Sequence, residues 1–155
     1  MELQTIFVYI VSILFLLIAY MIPKKINLSE IHATSLFATV VGLIVDTILA
    51  VKYKFYVLDK EGVQIPPLIG QIILYYVGSL IILNYFPFNR SKLRKVAYIL
   101  FCSLVAVLFE LICYQFKFIK YHEWNIWYSA LCYPFIIIFF TLHYKFFRWL
   151  ANRNL

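Results

Sequence analysis

Five apolar stretches, each long enough to cross a lipid bilayer, dominate the sequence. A membrane-spanning helix needs roughly 20 mostly apolar residues, and the 155-residue chain offers five such runs. Because 65% of the residues are hydrophobic and only 14% are charged, one soluble core could not bury so much apolar surface. We therefore predict an all-α integral membrane bundle with helices at about Leu3 to Ile22, Ile31 to Val51, Leu68 to Phe88, Val96 to Phe116 and Ile126 to Phe147.

The connectors between these runs are short and leave no room for a soluble domain, so residues 1–155 are predicted to form a single transmembrane domain. The first run does not have the pattern of a signal peptide. No basic residue precedes it, and Pro23-Lys24-Lys25 follows where a small-residue cleavage site would be needed. We expect this helix to stay in the mature protein.

Basic residues predict the orientation, because cytoplasmic loops carry the excess of Lys and Arg. With five crossings, nine basic residues fall on one side and five on the other, so we expect the N-terminus outside and the C-terminus inside a cell membrane. The nine are Lys24, Lys25, Arg90, Lys92, Arg94, Lys95, Lys145, Arg148 and Arg153, and the five are Lys52, Lys54, Lys60, Lys117 and Lys120.

The net charge of +7 is scattered over helix ends, where Lys and Arg contact anionic lipid headgroups. Membrane lipids are therefore the expected partners, and nucleic acid is not. Tyrosines and tryptophans near the predicted interfaces fit an anchoring belt; they are Tyr53, Tyr56, Tyr121, Trp124, Trp127, Tyr128 and Trp149.

Two acids lie within the predicted spans. A charged side chain at membrane depth costs about 2.5 to 3.5 kcal/mol on insertion scales, so each is a functional candidate. Asp46 precedes Lys52 by six residues, and Glu110 precedes Lys117 by seven. At 1.5 Å per residue, both carboxyls should lie about 9 to 10 Å below the outer interface.

Each acid ends a helical stripe of small or polar residues, which is the face that helices turn towards one another in lipid. We expect both acids to point into one bundle interior, with a polar outer half and a mostly dry inner half. The predicted binding residues are Asp46, Glu110, Gln71, Tyr75, Tyr114, Ser129 and Tyr133. The three cysteines and three histidines show no metal-ligand spacing, so no metal or cofactor is expected.

The two acid-bearing segments also align with each other. Placing Leu36 to Ile48 over Leu100 to Ile112 pairs Asp46 with Glu110 and gives four identical pairs elsewhere. This favours a duplicated helical hairpin, in which segments two and three match segments four and five and the first segment is an addition. The alternative is chance similarity, which is common between apolar helices.

The stretch from Tyr121 to Pro134 carries Tyr121, Trp124, Tyr128-Ser129 and Tyr133-Pro134 after a helix with Glu110. In this respect the chain resembles an uncharacterised family of small multi-pass membrane proteins of spore-forming Gram-positive bacteria. The resemblance covers nearly the whole chain. It implies an integral protein of a bacterial plasma membrane and supplies no reaction.

Three functions remain open from the sequence. The first is an outward-facing polar pocket around the two carboxylates that binds or passes a cation, a proton or an amphiphile headgroup. The second is a structural or accessory subunit, in which the acids only join helices by hydrogen bonds. The third is an intramembrane acid–base enzyme acting on a lipid or isoprenoid, although no catalytic motif is present. Five short helices make a small pore, so a second copy or another membrane protein is a further expected partner.

Overall fold

Five long helices form the body of the protein. The computed structural model describes residues 3–60, 62 and 64–153, so the two residues at each end of the predicted domain lie outside the described part. All five helices are long and apolar enough to span a membrane, which confirms the all-α prediction. They are α1 (Leu3–Met21), α2 (Leu28–Asp46), α3 (Ile65–Tyr85), α4 (Lys92–Gln115) and α5 (Ile126–Arg153).

Local sequence signals account for several helix ends. The Asn27 side chain accepts a hydrogen bond from the Ser29 amide at the start of α2, which is the usual N-cap arrangement. Prolines occupy the first turn of α3, where a missing amide proton costs nothing. The predicted helix boundaries lie within a few residues of the observed ones, except that α5 continues about two turns further, to Arg153.

The helices α2 and α4 end in similar ways. Lys117 follows α4 in the left-handed conformation, with φ of 59°, and the amide of Phe118 bonds the carbonyl of Cys113, as in a Schellman cap. The end of α2 is wider, because Thr47–Lys52 forms a π-helical turn. There Lys54 is left-handed, with φ of 55°, and the amide of Phe55 bonds the carbonyl of Leu49.

A short antiparallel ladder joins the two loops that follow these ends. The strands are β1 (Tyr56–Leu58) and β2 (Ile119–Tyr121), and Tyr56 pairs with Tyr121. The sequence analysis predicted only connectors here. Three-residue strands carry too little periodicity to be seen in a sequence, and they form because the two loops lie at the same end of the bundle.

The end of the bundle away from β1 and β2 is not dry, which corrects the expectation of an apolar inner half. Glu30, Thr34, Ser35 and Asn84 are all buried there. Glu30 was placed in a connector, but it lies in the first turn of α2 and accepts a hydrogen bond of 2.7 Å from the Tyr144 hydroxyl of α5. Polar contacts therefore tie the helices together at both ends.

Candidate functional site

The carboxylate of Asp46, at the end of α2, accepts hydrogen bonds from three neutral donors. The Tyr56 hydroxyl of β1 donates to Oδ1 at 2.5 Å. The Gln71 amide of α3 donates to Oδ2 at 2.5 Å, and the Tyr75 hydroxyl donates to the same oxygen. We call Asp46, Tyr56, Gln71 and Tyr75 the Asp46 cluster.

Gly42 sets the position of Tyr75 in this cluster. It lies one helical turn before Asp46, and a Cβ atom added there would be 2.7 Å from Cδ2 of Tyr75. Since ordinary carbon contacts are about 3.5 to 4.0 Å, only glycine lets the ring lie against the α2 backbone. This close approach places the Tyr75 hydroxyl on Asp46.

The carboxylate of Glu110 in α4 has a matching set of donors. Oε1 accepts from the hydroxyls of Tyr121 in β2, at 2.6 Å, and of Ser129 in α5, at 2.7 Å. Oε2 accepts from the Tyr133 hydroxyl at 2.5 Å. We call Glu110, Tyr121, Ser129 and Tyr133 the Glu110 cluster. The Trp124 indole donates to Ser129 at 2.8 Å, so that a fifth side chain supports the cluster.

The two clusters are built from the same sequence of parts. In each, a helix ends near an acid, the next strand supplies a tyrosine, and the following helix supplies two donors four residues apart, Gln71 and Tyr75 or Ser129 and Tyr133. Residues four apart lie on one face of a helix. The pairing of Tyr56 with Tyr121 in the ladder holds the clusters side by side.

The clusters differ in their access to open space. Asp46 and Gln71 line a cavity of about 600 Å³ that also contacts the loop after α2 and the first turn of α3. Glu110 is only 7% exposed and does not line this cavity. We call this space the Asp46 cavity; its volume is within the range of small-molecule sites.

The lining of the Asp46 cavity is amphipathic. Leu43, Val51, Val57, Pro67 and Leu68 form apolar parts of its wall. Its described lining also includes the charged residues Asp46, Lys54, Lys60 and Glu123, together with His122, Tyr53 and Tyr56.

The strand tyrosines remain protonated donors over a wide pH range. Burial raises the pKa of the Tyr56 phenol, and the nearby Asp46 carboxylate raises it further. Burial also raises the pKa of Tyr121, and its hydrogen bond to Glu110 adds to this effect. Each phenol therefore keeps the proton that it donates to its carboxylate.

The structure brings together six of the seven predicted binding residues, but as two groups. Asp46, Gln71 and Tyr75 form one group, and Glu110, Ser129 and Tyr133 form the other. No described residue donates to both carboxylates, so their hydrogen bonds form two groups, although the two carboxylates are close enough for their charges to interact. Tyr114, the seventh residue, is 46% exposed and stacks on Tyr121 with ring centroids 5.1 Å apart.

Tyr56, Tyr121 and Trp124 were not predicted as site residues, because their positions in the sequence fit the anchoring belt. The available signal was spacing: Tyr56 follows Asp46 by ten residues, and Tyr121 follows Glu110 by eleven. An aromatic residue at a membrane interface is so common that this spacing carries little weight until the strands bring each hydroxyl back to its acid.

No protein-family model, curated protein or solved structure matches this chain. The resemblance to small membrane proteins of spore-forming bacteria therefore stays a prediction.

Proposed function

We propose that this protein is a multi-pass protein of a cell membrane that binds the headgroup of an amphiphile in the Asp46 cavity. The observation that carries the proposal is that Asp46 lines an open cavity, while its hydrogen-bond donors among the described residues are neutral. Glu110 also has neutral donors, but of the two acids only Asp46 faces a cavity with room for a compensating positive charge. A ligand that brings a cationic group into the cavity would supply that charge.

Size and lining favour an amphiphile over a bare cation or proton. A monatomic ion would occupy a small part of about 600 Å³, whereas a headgroup with its first acyl carbons would fill much more of it. The apolar wall of Leu43, Val51 and Leu68 suits acyl carbons. The polar floor at Asp46 suits the headgroup.

We further propose that the N-terminus and the Asp46 cavity face the outside. The segment 89–95, which comprises the end of the α3–α4 loop and the first turn of α4, carries four basic residues and lies at the end opposite the cavity, so the positive-inside rule favours a cytoplasmic position for it. An outward cavity would take its ligand from the outer leaflet.

The two clusters support an origin by duplication of the hairpin α2–α3. Lys54-Phe55 and Lys117-Phe118 each follow the acid-bearing helix with a left-handed lysine. Lys54 follows Asp46 by eight residues and Lys117 follows Glu110 by seven. The π-helical turn at Thr47–Lys52 accounts for the extra residue, since π-bulges arise from single-residue insertions.

A second candidate function, a structural subunit of a membrane complex, is favoured by the Glu110 cluster. Glu110 is buried and its oxygens accept from three hydroxyls. Such a cluster joins α4, β2 and α5 without requiring a ligand. If the hairpin was duplicated, the copy α2–α3 keeps an accessible acid, Asp46, whereas Glu110 in the copy α4–α5 only connects secondary-structure elements by hydrogen bonds.

Native mass spectrometry of the purified protein with a dioctanoyl phospholipid mixture tests the proposal. Asp46→Asn keeps the size of the side chain and removes its charge, so bound lipid should fall about tenfold or more, the factor that one charge-assisted hydrogen bond supplies. Glu110→Gln is the matched control and should retain lipid. Equal binding by the wild type and both variants, or none by the wild type, would favour the structural function instead.

A further inference from the structure

We infer that the Asp46 cavity selects a primary ammonium group carried next to a phosphate, as in a phosphoethanolamine lipid headgroup. This inference rests on the proposed function, because it names the chemistry of the headgroup held there. It follows from the oxygens left around Asp46 and from the charges on the cavity lining.

Among the described residues, three hydrogen-bond acceptors remain around Asp46 after the bonds within its cluster are made. Oδ1 accepts one bond, from Tyr56, and a carboxylate oxygen has two lone-pair sites. Tyr56 uses its proton in that bond, which leaves the phenol oxygen as an acceptor. Gln71 turns its amide nitrogen towards Oδ2, so its Oε1 is left as an acceptor, and no described residue donates to it.

A primary ammonium has three N–H donors and no acceptor, which complements these three oxygens. Asp46, Tyr56 and Gln71 all line the cavity. A quaternary ammonium has no N–H group and is recognised by the faces of aromatic rings. The Tyr56 phenol instead points its hydroxyl at Asp46, so the site favours N–H donors.

The cavity lining matches a zwitterion. Two carboxylates, Asp46 and Glu123, and two lysines, Lys54 and Lys60, line the same space together with His122. The described lining residues thus present both negative and positive charges to one cavity, which suits a zwitterion better than an anion. Lys54 is exposed on the loop beyond the π-helical turn, whereas Asp46 is part-buried at the end of α2, so the ammonium lies at Asp46 and the phosphate near Lys54.

The test compares ligands on the wild-type chain, which avoids dependence on any variant. Dissociation constants are measured by native mass spectrometry in detergent for dioctanoyl phosphatidylethanolamine, its monomethyl and dimethyl forms, phosphatidylcholine and phosphatidylglycerol. The methyl series keeps the positive charge and removes one N–H donor per step. We expect affinity to fall at each step, by about tenfold or more over the series, with phosphatidylglycerol also weaker.

Variants then assign the contacts. Asp46→Asn should abolish the preference for the primary ammonium, and Glu110→Gln should keep it. Lys54→Gln should weaken all these lipids by a similar factor, since each carries a phosphate.

The outcomes separate this inference from the proposed function. Equal affinity across the methyl series, or tighter binding of phosphatidylglycerol, would overturn the primary-ammonium inference while headgroup binding stands. No binding of any of these lipids would overturn both. Binding of water-soluble glycerophosphoethanolamine as tightly as the lipid would show a soluble ligand and contradict the amphiphile.

Discussion

Replacing Gly42 by alanine should destabilise the protein, although a glycine-to-alanine change inside a helix usually stabilises it. A Cβ atom at this position would lie 2.7, 2.9 and 3.0 Å from three ring carbons of Tyr75, so the ring must move by up to about 1 Å to reach normal contact. Overpacking of this kind costs about 1 to 3 kcal/mol. Losing the hydrogen bond from Tyr75 to Asp46 destabilises the protein by about a further 0.6 to 1.7 kcal/mol. The gain in helix propensity offsets only about 0.5 to 1 kcal/mol of this loss.

Gly78 in α3 provides the matched control, because a Cβ atom there would meet nothing within 4 Å. Gly78→Ala should therefore stabilise the protein by about 0.5 to 1 kcal/mol. The free energies of unfolding are measured by titration with SDS in mixed micelles. We expect the two variants to differ by about 2 kcal/mol or more. A Gly42→Ala variant as stable as Gly78→Ala would refute the role of Gly42 in placing Tyr75.

Three further predictions follow from the same contacts. In the Glu110 cluster, Tyr121→Phe and Tyr133→Phe should each lower the unfolding free energy by about 0.6 to 1.7 kcal/mol, and both losses should be smaller in a Glu110→Ala background. Unchanged losses in that double-mutant cycle would mean that Glu110 is not the acceptor. The pKa values of Tyr56 and Tyr121 are raised in the folded state, so their contribution to stability is complete below the unfolded tyrosine pKa of about 10 and is lost as pH rises above it. The unfolding free energy should therefore fall above that pH, and fall less in a Tyr56→Phe, Tyr121→Phe double variant. An equal fall in both proteins would argue against this assignment. A single cysteine introduced in the segment 89–95, at the junction of the α3–α4 loop and α4, in a chain without its native cysteines should resist an impermeant thiol reagent in whole cells. Labelling from outside would reverse the proposed orientation.

The sequence predicted the helices well because their cause is local. A run of about 20 apolar residues can satisfy its backbone in lipid only as a helix, so number, type and approximate position follow from composition alone. The two acids were also found from the sequence, because a charge at membrane depth is costly wherever it lies. Gln71, Tyr75, Ser129 and Tyr133 were found because they lie on the polar stripes facing those acids.

The grouping of these residues could not be predicted, because it depends on the paths of the loops. The tyrosine of each strand reaches its acid only after the chain reverses at a left-handed lysine, Lys54 or Lys117, and lysine has no preference for that conformation. The difference between an open Asp46 and a closed Glu110 depends on which side chains fill the space beside each acid. The buried Glu30 was missed because its partner Tyr144 lies 114 residues away in the chain.

Asp46 is accessible from the cavity and Glu110 is sealed, and carboxyl labelling of the wild-type protein measures this difference. The folded protein in micelles is treated with a water-soluble carbodiimide and a hydrophilic amine at mildly acidic pH, and the modified positions are found by peptide mass spectrometry. We expect modification of Asp46, protection of Asp46 by dioctanoyl phosphatidylethanolamine, and modification of Glu110 only after denaturation. Modification of Glu110 as fast as Asp46, or an Asp46 that stays unmodified without lipid, would contradict it.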